Sequence, residues 1–155
     1  MIVKFLILIC VAFRINAQNL EVPVGADYTA IQFKMSHWDV RFQESTTSKV
    51  SITGIKDKSM WNFKKGVGGA LLVEERDYEN KIFNTTAELA AKEHLIVKVP
   101  LLPLTIVGNE LELNVEGLKN NVKFVVIKGS IKGFKNQGEW RVFLNSGDVD
   151  RKSVV

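Results

Sequence analysis

The sequence predicts an all-β protein, a short right-handed β-solenoid in one domain. A short phrase recurs at 52–57, 115–120 and 131–136, with the pattern β-branched, polar, Gly, large apolar, Lys, Asp or Asn. Around these phrases, apolar and polar residues alternate as they do along half-buried strands. A short repeat with strand-like patterning is typical of coils that stack on one another. The alternative is an antiparallel β-sandwich, which has similar turns without a stacked register.

Apolar positions in the last third of the chain align from one predicted coil to the next. Leu111, Leu113 and Val115 alternate with polar neighbours, which places them on one face of a strand. In a solenoid, equivalent residues of successive coils lie about 4.8 Å apart along the axis. We expect three ladders, two with equal steps and a third whose first step is shorter: Leu104, Val122 and Trp140; Ile106, Phe124 and Val142; Val115, Ile131 and Val149.

Two further expectations follow from the β-solenoid prediction, one for the glycines and one for the outward-facing residues. Gly54, Gly117 and Gly133 each precede a large apolar residue, and we expect each to form a corner with positive φ. The outward-facing row is less regular. Three apolar residues there are expected to face a second layer or a partner: Val125, Ile127 and Phe143.

The N-terminus predicts export. Lys4 is followed by an unbroken apolar run at 5–13, and Ala17 supplies a small residue before a cleavage site. Residues 1–17 therefore match a secretory signal peptide, and the apolar run is too short for a transmembrane helix. We expect a mature chain of residues 18–155, secreted, periplasmic or at the cell surface, with no membrane span.

Residues 58–94 do not follow the repeat, and we expect them to form an irregular cap or insertion. Within this segment, the patterns at 70–75 and 78–83 predict a hairpin around Arg76-Asp77. Residues 85–93 contain good helix formers and predict one short helix.

Charge and cysteine content exclude two classes of protein. Removal of residues 1–17 takes away Lys4 and Arg14, which lowers Lys+Arg from 21 to 19 against 17 Asp+Glu. Both signs are interspersed, whereas a nucleic-acid partner requires a concentrated basic face. Cys10 also leaves with the signal peptide, so the mature chain cannot form a disulfide framework.

Three short motifs carry a family resemblance. Residues 95–100 read LIVKVP, 115–119 read VEGLK, and 145–149 read NSGDV. Across residues 90–150 the chain resembles the bacterial putative adhesin domain family, exported β-solenoids with VxVP, VxGLxG and SGDV phrases. The SGDV phrase occurs once here, and 128–131 reads KGSI one coil earlier. The resemblance implies an exported β-solenoid with an adhesive role, and it transfers no functional residue.

No spacing in the chain indicates a catalytic, metal or cofactor site. His37 and His94 are far apart in sequence, and HxH, HExxH and CxxC spacings are missing. Two acidic groups are candidate carboxylate pairs for a glycosidase, and the second is also a candidate Ca²⁺ site: Glu74, Glu75 and Asp77; Asp148 and Asp150. Both groups are better explained as solvated strand or turn charges.

The tryptophans are the best ligand candidates, because a flat ring can stack on a sugar. Trp140 falls in a predicted ladder, which favours core packing. Trp38 and Trp61 lie beside polar turns. Trp61 is the least committed to a ladder and is therefore the candidate for an exposed ligand contact.

These patterns favour a non-enzymatic surface or envelope binding module without a cofactor, whose partner is a surface glycan or an envelope protein. One alternative is a carbohydrate-active enzyme on a β-solenoid. Another is a purely structural envelope protein whose open end stacks on a second copy.

Overall fold

The computed structural model describes residues 18–83 and 92–152, which contain nine strands, one short α-helix and two 3₁₀ helices at Lys58–Met60 and Val67–Gly69. One sheet contains all nine strands, so the described chain is all-β. Its elements are β1 (Gln18–Pro23), β2 (Ala30–Glu44), β3 (Lys49–Ile55), β4 (Trp61–Lys65), β5 (Ala70–Glu75), α1 (Tyr78–Phe83), β6 (Glu93–Val99), β7 (Leu104–Glu116), β8 (Val122–Phe134) and β9 (Trp140–Lys152).

Four long strands run parallel and in register. β2 pairs with β7, β7 with β8, and β8 with β9. The last two steps are equal in length, from position 104 to 122 and from 122 to 140, as the sequence predicts. Two of the expected ladders are therefore confirmed: Leu104, Val122 and Trp140; Ile106, Phe124 and Val142.

The third expected ladder is wrong in its register. Val115 lies opposite Gly133, whereas Ile131 pairs with Leu113 and Val149. The recurring phrase begins again at Ile131, but the chain returns to the place of Val115 in the stack only at Gly133. An alignment of the phrases therefore places the second half of β8 out of register.

The long strands are bent back on themselves. Phe33 and Phe42 of β2 would be about 30 Å apart in a straight strand, yet their ring centroids are 5.3 Å apart. His37 in β2 and Glu110 in β7 have φ of 65° and 52°, which marks the bend. Only residues 117–121 link β7 to β8, so β7 must itself turn back before β8 can start parallel to it. Buried apolar side chains of the two halves meet between them and form the core.

The first half of the chain completes the sheet on the other edge of β2. β5 pairs in parallel with the first half of β2, and β6 pairs in parallel with its second half. β3 pairs antiparallel with β6, and β4 pairs antiparallel with β5. β1 in turn pairs antiparallel with β3. The segment 58–94 thus contributes β4, β5 and the start of β6 to the sheet.

The expected hairpin of 70–75 with 78–83 is wrong. β5 pairs with β4, and residues 78–83 form α1. The actual turn is at 66–69, where Gly68 and Gly69 adopt φ of 78° and 80° and allow a tight reversal. Most of the helix expected at 85–93 lies outside the described residues. Within the described ranges, no helix is long and apolar enough to cross a bilayer.

Candidate binding surface

An apolar ridge crosses the outer face of β7, β8 and β9. Val107 pairs with Val125, and Val125 with Phe143. Each lies between inward-facing neighbours, so strand alternation directs its side chain outward. Phe143 is 58% exposed, and nearby Ile127 is 46% exposed. We call these four residues the outer ridge. This row of apolar residues on regular strands is the candidate interaction surface of the described residues.

Positive charge borders the outer ridge. The Nζ atom of Lys123 lies 5.5 Å from the ring centroid of Phe143. Arg141 pairs opposite Lys123 in the neighbouring exposed row. On β2, Lys34 lies opposite Val107, so the apolar run ends there. The ridge is therefore suited to an apolar segment that also carries acidic groups.

The outer face of the second strand halves is mostly polar, although Ile96 and Phe134 are 40% and 46% exposed there. His94 Nδ1 lies 3.0 Å from Asp39 Oδ2, and Lys92 Nζ lies 3.2 Å from Glu112 Oε1. These ion pairs are partly or largely exposed, and such pairs contribute little to stability or to ligand capture. Its apolar residues Ile96 and Phe134 are separated by charged side chains and form no continuous row.

The two histidines do not meet. His37 Nδ1 lies 3.1 Å from Glu110 Oε2 at the bend, whereas His94 contacts Asp39. Among the residues that the structure describes, no three His, Cys, Asp or Glu side chains could hold one metal ion.

The acidic candidates do not form facing pairs. Glu75 is buried and accepts a hydrogen bond from the Ser36 N–H at 2.9 Å. Glu74 points to the other face of β5, where Lys64 Nζ is 3.5 Å from its Oε2. Because a glycosidase requires two carboxylates across one scissile bond, Glu74 and Glu75 cannot act as such a pair. Asp148 and Asp150 lie side by side on the exposed outer face of β9.

Trp61 lies in the core. It is 5% exposed, and its ring centroid is 5.8 Å from that of Trp38. The alternation of β4 turns Trp61 and Phe63 inward, so the expectation of an exposed ring at Trp61 is wrong. Trp140 packs against the core, 4.9 Å from Phe124 between ring centroids.

The sequence indicated most of the outer ridge but not all of it. Val125, Ile127 and Phe143 break the polar alternation and were expected to meet a second layer or a partner. Val107 was missed, although it lies opposite Val125 in the neighbouring parallel strand. Extension of the ladder spacing to the outward row would have found it.

The comparisons with known proteins show a shared fold and nothing finer. No known family and no curated protein matches the sequence of this chain. Among solved structures, the chain is similar to a putative lipid binding protein from Parabacteroides distasonis, with a TM-score of 0.32, 14% identity and coverage of 86% of this chain and 61% of that one. It is also similar to a putative cell adhesion protein from Clostridium sporogenes, with a TM-score of 0.53 and 9% identity over 89% of this chain and 100% of that one.

Proposed function

We propose that this chain is an exported, non-enzymatic binding module with an adhesin-like role, which attaches to a protein of the bacterial cell surface through the outer ridge. Its framework in this proposal is a right-handed β-solenoid. The proposal combines a rigid stacked scaffold with one apolar strip on its outside.

The stacked strands support the solenoid. Parallel pairing continues from β7 to β9 with the same step along the chain each time. The contact between Phe33 and Phe42 within one strand shows that a single long strand supplies two facing sides. Such coils hold outward side chains in straight rows, so a ligand meets a surface fixed by the backbone.

The outer ridge is the observation that carries the proposed function. Phe143 and Ile127 are 58% and 46% exposed although they lie on regular strands, where polar residues would keep the protein soluble. The cation of Lys123 beside the Phe143 ring favours a partner that combines apolar and acidic side chains. A protein segment supplies both groups, whereas a neutral glycan supplies no acidic group.

The N-terminal pattern and the family resemblance support the location. Residues 1–17 match a signal peptide, and the motifs at 95–100 and 145–149 resemble those of exported adhesin-like β-solenoids. The Clostridium sporogenes neighbour is described as a putative cell adhesion protein, which agrees with this role.

A cell-binding assay tests the proposal. The full chain is expressed with its own N-terminus, and the purified product is fluorescently labelled and titrated onto intact bacterial cells. The double variant Ile127→Ser and Phe143→Ser removes the exposed part of the outer ridge without touching the core. Val67→Ser is the matched control, because Val67 is fully exposed on the turn between β4 and β5, away from the outer ridge.

Wild type and Val67→Ser are expected to bind equally, and the double variant at least about tenfold more weakly. Protease treatment of the cells should abolish binding, and periodate oxidation of their glycans should not. If the double variant binds like wild type, or if no binding occurs, the proposed role of the outer ridge is wrong. Binding that is lost only after periodate would identify a glycan instead and overturn the protein partner.

A further inference from the structure

The outer edge of β9 has no partner strand among the described residues. β9 pairs with β8 along one edge over residues 140–152. Its other edge exposes backbone N–H and C=O groups, which form a template for a further strand.

Interior side chains are uncovered at the same edge. Val149 stacks on Ile131, which stacks on Leu113. Leu113 and Ile131 are 0% exposed, whereas Val149 is 46% exposed. The three residues occupy the same position in their strands. Val149 is more exposed than the other two because no described strand covers the outer edge of β9. A strand added at this edge would bury Val149.

The bend in β9 allows the strand to pair with its own inverted copy. β9 is paired with β8 on both sides of the bend, and Gly147 at the bend has φ of 133°. A twofold axis through the bend places the first half of one β9 beside the second half of the other, with the strands antiparallel. This contact closes at two subunits, whereas head-to-tail stacking would continue into a fibre.

Side-chain alternation and charge select one register. Inward side chains must face inward ones, which is satisfied when the pairing is centred between residues 145 and 146. Val142 then faces the partner's Val149, and Arg141 faces the partner's Asp150. A shift of the pairing by two residues in one direction places Arg141 opposite the partner's Lys152, so two positive charges face each other. The opposite shift leaves Val142 opposite the partner's Gly147.

Arg151 and Trp140 fit the same register. The guanidinium of Arg151 lies 4.8 Å from the Trp140 ring centroid and donates a hydrogen bond to the Gly138 carbonyl at 2.7 Å. In the centred register, Arg151 faces the partner's Trp140. Guanidinium and indole groups would therefore meet at both ends of the interface.

We infer that two copies of this chain pair edge to edge through β9, antiparallel and centred between Asn145 and Ser146. The interface uses the free edge of β9, the strand that also carries Phe143 of the outer ridge. It goes beyond the proposed function and does not rest on it, because its test measures the mass of the chain in solution and not its binding to cells.

The test is the mass of the purified full-chain product in solution, measured by sedimentation at concentrations up to about 100 µM, where even an interface of micromolar Kd is occupied. Val149→Lys places a charge in the apolar part of the interface, and Val67→Lys is the control on an exposed turn. Arg141→Asp and Asp150→Arg each set like charges against each other across the interface. The double exchange restores opposite charges. In one chain, Arg141 and Asp150 lie on opposite halves of the bent strand, so a rescue reports on contact between chains.

Wild type, Val67→Lys and the double exchange are expected to be dimers. Val149→Lys and each single charge change are expected to weaken the dimer at least about tenfold. An unchanged circular dichroism spectrum and a cooperative unfolding transition would show that these variants remain folded, although loss of the dimer itself lowers Tm. A monomeric wild type, a dimer that survives Val149→Lys, or a double exchange no tighter than the single changes would overturn the inference.

Discussion

The backbone of Gly133 lies directly against the indole of Trp140. A Cβ built on Gly133 would overlap Cη2 of that ring. Gly133 belongs to the second half of β8 and Trp140 to the start of β9, so this contact crosses the interior of the stack. Gly133 has no positive φ, and its expected role as a corner is wrong. The residue is small because the indole occupies the space of a side chain.

Gly133→Ala is therefore expected to lower the free energy of unfolding by about 1–3 kcal/mol, the usual cost of overpacking a core. Urea unfolding followed by circular dichroism measures it. The control is Gly25→Ala, because a Cβ at Gly25 would meet no atom within 4 Å. Equal stability of the two variants would contradict the packing role of Gly133.

The stack of β7, β8 and β9 could be predicted because its signal is local. Ladder residues such as Leu104 and Val122 lie close together in the sequence, and a buried row requires an apolar side chain in each paired strand. The position of β2 could not be predicted in this way. Ile31 stacks on Leu104 although β3, β4, β5 and β6 lie between them in the chain, so no short repeat reveals the pairing.

The candidate site was predicted in part for a related reason. An exposed apolar residue such as Phe143 on a regular strand breaks the alternation, and this is visible in the sequence. Burial of Trp61 is not visible there, because it depends on β4 pairing with β5 and on contact with Trp38. Flanking polar residues indicated only that a turn was near.

The corner after β7 and the corner after β8 use different residues for one backbone shape. Gly117 and Lys135 directly follow the paired residues Glu116 and Phe134, so they occupy equivalent positions after two neighbouring parallel strands. Their φ angles are 68° and 57°. A residue with a Cβ is strained there by about 1 kcal/mol. We expect Gly117→Ala to destabilise the protein by about that amount, since a Cβ at Gly117 would meet no atom and only the backbone is affected.

Lys135→Gly should raise the free energy of unfolding, because glycine relieves the backbone strain at this φ. The greater conformational entropy of glycine in the unfolded chain reduces this gain. Unfolding by urea measures both variants. If Lys135→Gly is less stable than Gly117→Ala, backbone strain does not govern these corners.

Asn136 ties two turns together from inside the stack. Its Nδ2 donates a hydrogen bond to the Val115 carbonyl at 2.8 Å, and its Oδ1 accepts one from the Leu118 N–H at 2.9 Å. Asn136→Ala removes the side-chain partner of both backbone groups, and we expect a loss of about 1–3 kcal/mol in the free energy of unfolding. Asn121→Ala is the matched control. The Oδ1 of Asn121 also accepts a backbone hydrogen bond, from Glu139, but in an exposed position where water can replace it. Similar losses in both variants would contradict the importance of burial.

Trp61 is expected to contribute stability through its buried ring. Trp61→Ala should lower the free energy of unfolding by about 3–5 kcal/mol, as large-to-small core substitutions do. Phe143→Ala, which truncates an exposed aromatic residue, should change it by about 0.5 kcal/mol or less. Thermal and urea unfolding of both variants provide the comparison. A Trp61→Ala variant as stable as wild type would show that the ring is outside the core.

Ionisation of Tyr78 makes the free energy of unfolding depend on pH in the alkaline range. Burial raises the pKa of Tyr78 above its usual value of 10.0, and the nearby carboxylates of Glu74 and Glu75 raise it further. The folded protein therefore keeps the phenol protonated at a pH where the unfolded chain releases the proton. The associated stability is complete below pH 10.0 and is lost as the pH rises through the pKa of the folded state.

Tyr78→Phe removes this ionisation, so its free energy of unfolding should fall less than that of wild type between neutral pH and a pH above 10.0. Lysines also lose charge in this range, but they do so in both proteins, and the difference between the two curves isolates Tyr78. The ultraviolet absorbance of the phenolate, taken as wild type minus Tyr78→Phe, gives the titration of this residue directly. Parallel stability curves, or a difference titration at or below the usual value for tyrosine, would show that neither burial nor the two carboxylates act on Tyr78 as the structure indicates.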